Sequence, residues 1–136
     1  MSYTMKDNTK EVLEALEKAK IRGLTAIGME AEGFAKEDPN MPVDTGLARN
    51  SITFALAGEE AHTKEYKADK GEEKGSYSGK AEGKKGEAVY LGSNVEYFPM
   101  IENGSRTINA RHILRNAASG HADRYKELME DSMKNA

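Results

Sequence analysis

Apolar residues recur at alternating steps of three and four through the first third of the chain, at Leu13, Leu16, Leu24, Ile27, Ala31 and Phe34, with Lys20 the single polar break. That period puts them on one face and predicts a long helix over residues 7–36. Asp7, Asn8 or Thr9 supplies its cap, and Glu14 with Lys18 forms a favourable i,i+4 pair. Gly23, Gly28 and Gly33 each cost about 1 kcal/mol relative to alanine in a helix interior. Burial of the large apolar side chains, at about 1.5–3 kcal/mol each, has to outweigh them. The glycines also permit close approach by a neighbour. The face of Leu13, Leu24, Ile27 and Phe34 reads as core rather than as a groove for a partner.

Pro42 closes that pattern, because it fixes its own φ and biases Met41 towards an extended conformation. Asp44 is expected to cap the following turn by accepting from the N–H of Gly46 or Leu47, with Leu47 inward and Arg49 outward. From Ser51 the pattern becomes alternation, with Ile52, Phe54 and Leu56 opposite Thr53, Ala55 and Ala57, which predicts a strand over residues 51–60. A second strand at 87–92, with Val89 and Leu91 opposite Ala88 and Tyr90, is expected to pair with it. Residues 61–86 between them mix lysine, glutamate and glycine around only two large rings, Tyr66 and Tyr77. They read as a flexible insertion, either a long mobile hairpin or an unstructured loop.

After the second strand, Ser93 or Asn94 can cap a short helix through Tyr97, Phe98, Met100 and Ile101. Pro99 fits only near its start, and Gly104 supplies a left-handed residue after its end. Ile113, Leu114, Ala117 and Ala118 make one further apolar patch and Tyr125, Leu128, Met129 and Met133 another, with Gly120 breaking or bending the segment between them. Residues 95–135 therefore read as a helical C-terminal part. The expected fold is α+β: a long N-terminal helix on a small antiparallel sheet with a hairpin or loop insertion, then C-terminal helices. At 136 residues, 1–136 is expected to be one domain.

Charged residues make up 32% of the chain and apolar ones 38%, so a modest core and a strongly solvated surface are expected. Association is one way for such a chain to bury more surface. A net charge of −3 gives no broad cationic field of the kind that dominates nucleic-acid affinity. The absence of cysteine excludes disulfides, thiolate metal sites and a thiol nucleophile. No apolar run approaches the roughly 20 residues that span a bilayer. Residues 1–10 lack the basic-then-apolar layout of a secretion signal, so cytoplasmic assembly without a membrane is the expectation.

Candidate chemistry is sparse. Asp44, Glu96 and Glu102 are carboxylates that could serve a metal or a proton transfer, but as a set they are read as a turn cap and two solvated glutamates. His62, His112 and His121 lack close metal-ligand spacing, and Ser51 and Ser93 lie in no Gly-x-Ser-x-Gly elbow. Glycines 71–86 lack the Gly-Lys-Ser/Thr arrangement of a phosphate loop. No catalytic, cofactor or metal residue is therefore assigned. Arg106, Arg111, Arg115 and Arg124 form the one local basic concentration, which suits either DNA passing through a channel or pairing with acidic residues of another subunit.

The stretch Pro42-Val43-Asp44-Thr45-Gly46-Leu47-Ala48-Arg49-Asn50-Ser51-Ile52 resembles the Pro-x-Asp-Thr-Gly-x-Leu-Arg-x-Ser-Ile block of a family of small tail-component, or neck and tail-completion, proteins of long-tailed phages and prophages. Residues 89–105, Val89-Tyr90-Leu91-Gly92-Ser93-Asn94-Val95-Glu96-Tyr97-Phe98-Pro99-Met100-Ile101-Glu102-Asn103-Gly104-Ser105, resemble its strand and Tyr-Ala-x-x-Val-Glu-x-Gly-Thr pattern. Ala110-Arg111-His112-Ile113-Leu114-Arg115-Asn116-Ala117 resembles its Ala-x-Pro-Phe-Leu-x-x-Ala ending. Order and spacing agree from Pro42 to Ala118. Leu47 stands one position early, Phe98 replaces a small residue, Ser105 replaces threonine, and His112-Ile113 replace Pro-Phe.

The resemblance implies a non-enzymatic virion subunit at the head–tail junction, forming a homo-oligomeric ring between head connector and tail-tube proteins. On that basis Asp44, Gly46, Gly92 and Gly104 are expected to set backbone geometry, and Arg49, Tyr97, Glu102, Arg106 and Arg111 are the interface candidates. The alternative is a small nucleic-acid-binding regulator using the C-terminal arginines; a hydrolase has no motif behind it.

Overall fold

A computed structural model describes residues 8–136. The chain runs α1 (Thr9–Glu37), α2 (Leu47–Ser51), β1 (Thr53–Leu56), β2 (Glu65–Lys67), β3 (Lys74–Ser76), β4 (Val89–Gly92), α3 (Phe98–Asn103), α4 (Ile113–Ser119) and α5 (Ala122–Lys134). This is the expected α+β arrangement, with the long helix first and helices last. Asn8 stands at the N-cap of α1 without a side-chain capping bond. Asp7, the other cap candidate before the helix, lies outside the described residues.

The long helix exists where its periodicity placed it and turns the expected side inward, with Ala31 buried and Phe34 packed on the core, but its most buried positions are small residues. Ala19, Gly23, Gly28, Ala31 and Ala35 are the buried positions, while Leu13 is 60% and Leu16 38% exposed. The expectation that large side chains from Leu13 onward form the core is therefore corrected at the N-terminal end. Small residues are needed because neighbours come close. A Cβ at Gly23 would lie 2.7 Å from the Met129 sulfur of α5, and one at Gly28 would overlap the Phe54 ring of β1. Gly33 has open space, so nothing about packing explains it. Two polar contacts tie α5 along α1: Ser132 Oγ donates to the Ala19 carbonyl at 2.6 Å, and the Arg124 guanidinium grips Glu30 through Nε and Nη2 at 2.7–3.1 Å.

β1 and β4 pair antiparallel, Thr53 opposite Gly92 and Leu56 opposite Val89. The first strand is shorter than the alternation suggested, because Ser51 belongs to α2 and a turn returns Glu59 N–H to the Leu56 carbonyl. A second antiparallel pair, β2 with β3, lies inside residues 61–86.

The main core joins Ala35 and Met41 with Leu47, Ala48, Ile52, Ala68, Val95, Phe98, Ile113 and Ala117. Seven of these ten come from the three stretches that resemble the phage family: Leu47, Ala48 and Ile52 from the first, Val95 and Phe98 from the second, Ile113 and Ala117 from the third. Sequence-distant blocks thus pack as one unit.

Candidate assembly surface

The Pro42–Gly46 turn leads into α2. Gly46 is the N-cap of α2 at φ 86°, a left-handed conformation that a side chain resists. A Cβ there would also strike the Asp69 carboxylate. Asp44 makes no capping bond; the Leu47 N–H donates to Thr45 Oγ1 at 3.3 Å, and the expected role passes to the neighbouring threonine. Thr45 is also where the insertion docks, since its carbonyl accepts from the N–H of Asp69 at 2.7 Å and of Lys70 at 3.1 Å.

That docking, with the β2–β3 pairing, makes residues 61–86 the hairpin of the two expected alternatives, and it gives the segment polar anchors. The Asp69 carboxylate receives Asn50 Nδ2 and Arg49 Nη2, each at 3.0 Å, and Asn50 Nδ2 also donates to the Lys67 carbonyl. These donors, Asn50 first, hold the Asp69 carboxyl below its ordinary pKa. Ala68 is buried in the core. The Tyr77 hydroxyl donates to the Ser51 carbonyl at 2.5 Å and accepts from Asn94 N–H at 3.0 Å, while the Tyr66 hydroxyl donates to Asn94 Oδ1. Burial pushes both tyrosine pKa values up. The insertion is a hairpin pinned by hydroxyls and one carboxylate, a kind of anchor that hydropathy does not register.

α3 begins at Phe98, with Tyr97 rather than Ser93 or Asn94 at its N-cap position, and Ser93 Oγ instead accepts from Val95 N–H. The following loop, residues 104–112, is closed at both ends. Gly104 stands at φ 78°, and a Cβ there would come within 2.8 Å of the Ile108 oxygen and the Ala110 nitrogen. Ser105 N–H donates to the Ile108 carbonyl at 2.8 Å, and the N–H groups of Arg111 and His112 return to the carbonyls of Ile101 and Glu102. Gly92 has no such constraint: it lies inside β4 with nothing near an added Cβ, so its expected role in setting the backbone is not required.

The five interface candidates fare differently. Arg49 is held by Asp69, and Arg111 Nη1 donates to the Asn40 carbonyl at 2.8 Å. Glu102 accepts from the N–H groups of Leu114 and Arg115, capping α4 from a helix twelve residues upstream. Tyr97 and Arg106 remain exposed. Tyr97 lines a hollow of ≈ 280 Å³ with Pro42, Asp44, Leu47, Glu73 and Ile101. Partial burial, then the Glu73 and Asp44 carboxylates, push its pKa up. Neither carboxylate forms an ion pair among the described residues. Glu73 had no signal in the sequence, since it reaches the hollow only because the hairpin docks.

The arginine concentration disperses in three dimensions. Arg124 goes to Glu30 and Glu127, Arg111 to Asn40, and Arg115 lines a separate apolar groove with Leu114 and Tyr125. His62 stacks on Phe54 and His121 on Phe34. Among the described residues no group of three His, Asp or Glu is placed to hold a metal ion, and no helix is long and apolar enough to cross a membrane. Compared with protein-family models, curated proteins and solved structures, the chain matches none.

Proposed function

We propose that this chain is a structural subunit of a phage particle, acting at the head–tail junction as a neck or tail-completion component. Copies assemble into a ring between the head connector and the tail tube, with no bond-making step. Two different surfaces on each subunit meet head to tail, and the repetition closes where the rotation allows.

The observation that supports this most is the convergence of the three resembling stretches on one core. Residues 42–52, 89–105 and 110–117 supply most of the cluster around Ile52, Phe98 and Ile113. Stretches that resemble one family in order and spacing, and that also form a single packed unit, are more than separate short coincidences. The polar side of the same unit is taken up by backbone-fixing bonds around Thr45, Asp69 and Glu102. Those bonds give a rigid body suited to repeated contact, which lowers the ordering entropy of association.

Deletion of the gene from the phage or prophage that encodes it tests the reading. Electron microscopy of the lysate is expected to show filled heads and finished tails that fail to join. Normal yields of intact, infectious particles from the deletion would refute an essential joining role.

A further inference from the structure

From the shapes and charges of two surfaces, we infer that the loop tip Arg106–Ile108 of one copy seats in the Asp44, Glu73 and Tyr97 hollow of another copy of this chain. The inference rests on the assembly reading above and supplies the pair of surfaces that reading requires.

The hollow has apolar walls from Pro42, Leu47 and Ile101, one aromatic side from Tyr97, and two carboxylates, Asp44 and Glu73, in no ion pair among the described residues. Such a site suits a guanidinium: the planar cation lies against the ring while its N–H groups reach both acids. Its ≈ 280 Å³ accommodates one long side chain. The same chain carries the complementary feature. Arg106 is exposed and in no ion pair among the described residues, and Ile108 beside it is 46% exposed. The other C-terminal arginines are committed, Arg111 to Asn40 and Arg124 to Glu30, or lie elsewhere, as Arg115 does beside Tyr125.

The tip is also preorganised. Gly104 fixes the turn, Ser105 and Ile108 close it, and Arg111 and His112 fasten its base to α3. A loop already held in shape loses little freedom on docking, and arginine and tyrosine are the side chains on which interface energy concentrates. Arg106 supplies the charge and Ile108 the apolar contact with the walls. Tip and hollow are different surfaces, so each copy receives one neighbour and offers itself to the next.

Because the chain has no cysteine, the contact can be tested by paired cysteines in the full-length protein. The double variant Arg106→Cys, Glu73→Cys is expected to give a ladder of disulfide-linked multimers on mild oxidation, whereas each single variant stops at a dimer or below. In parallel, sedimentation of Arg106→Glu should show association weakened at least about tenfold, with Arg106→Glu, Glu73→Lys restoring it. Unfolding midpoints of all variants identify any that fail to fold; Arg106→Ser replaces a failed Arg106→Glu.

An absent ladder, or association of the wild-type chain that Arg106→Glu leaves unchanged, overturns this contact and leaves the assembly reading standing. A wild-type chain that stays monomeric at every concentration also overturns it. The assembly reading falls separately, if the protein is missing from particles.

Discussion

Glu102 and Leu114 are joined by a 2.6 Å hydrogen bond in which the Glu102 carboxylate, on α3, accepts the backbone N–H near the start of α4. Its second oxygen takes the Arg115 N–H at 3.0 Å. The two N–H groups belong to the first turn, where a helix cannot satisfy its own donors. His112 at the N-cap makes no side-chain capping bond and stands at φ 49°, so the cap comes from a distant glutamate. Negative charge at this end also favours the helix dipole. Glu102→Ala should therefore lower stability by about 1–2 kcal/mol in denaturant titrations, with Glu102→Gln losing less because one acceptor remains.

Gly28 and Gly33 differ by five positions on α1 and should respond oppositely to alanine. At Gly28 the added methyl meets the Phe54 ring; overpacking of about 1–3 kcal/mol then exceeds the roughly 1 kcal/mol gained in helix propensity. At Gly33 the space is open, so Gly33→Ala should stabilise by up to about 1 kcal/mol. Thermal unfolding of the two single variants, one melting lower and the other higher than wild type, checks both.

Tyr77 holds the hairpin to the body through its hydroxyl, donating to the Ser51 carbonyl and accepting from Asn94. Tyr77→Phe keeps the ring and strands both partners, which should destabilise by about 1–3 kcal/mol. Amide hydrogen exchange should accelerate first at residues 65–76. Uniform acceleration across all helices would contradict a local clasp.

Acid should loosen the fold at two named places. Glu30 and Asp69 have carboxyls held below their ordinary values of 4.5 and 3.8, Glu30 chiefly by its bond to Arg124 and Asp69 by Asn50 and then Arg49. A depressed folded pKa contributes stability that is present above the unfolded value and lost as pH falls through the folded one. Unfolding midpoints should thus fall as pH drops below about 4.5, and the decline should be shallower in Arg124→Met, where Glu30 has lost its main partner.

The long helix was legible because a period of three and four is a strong signal over eight turns. Which residues on its inward side come closest to the neighbours was not. Hydropathy ranks Leu13 and Leu16 above Gly23 and Gly28, yet the close approach of Met129 and Phe54 selects the glycines. Asp44 was the expected cap, and the path of the backbone through Gly46 gives the Leu47 N–H to the neighbouring Thr45 instead. The hairpin looked unanchored because its anchors are hydroxyls and a carboxylate whose partners lie 17 to 28 residues away. Likewise, Glu73 joins Tyr97 only through tertiary docking, so the hollow had no sequence signature.

Quantitative mass spectrometry of purified infectious particles, with detached heads and free tails analysed in parallel, bears straight on the proposed joining role. A joining subunit should be found in whole particles at a small fixed copy number, comparable to that of the connector ring and far below that of the tail-tube protein. Infectious particles that contain none of it would rule that role out.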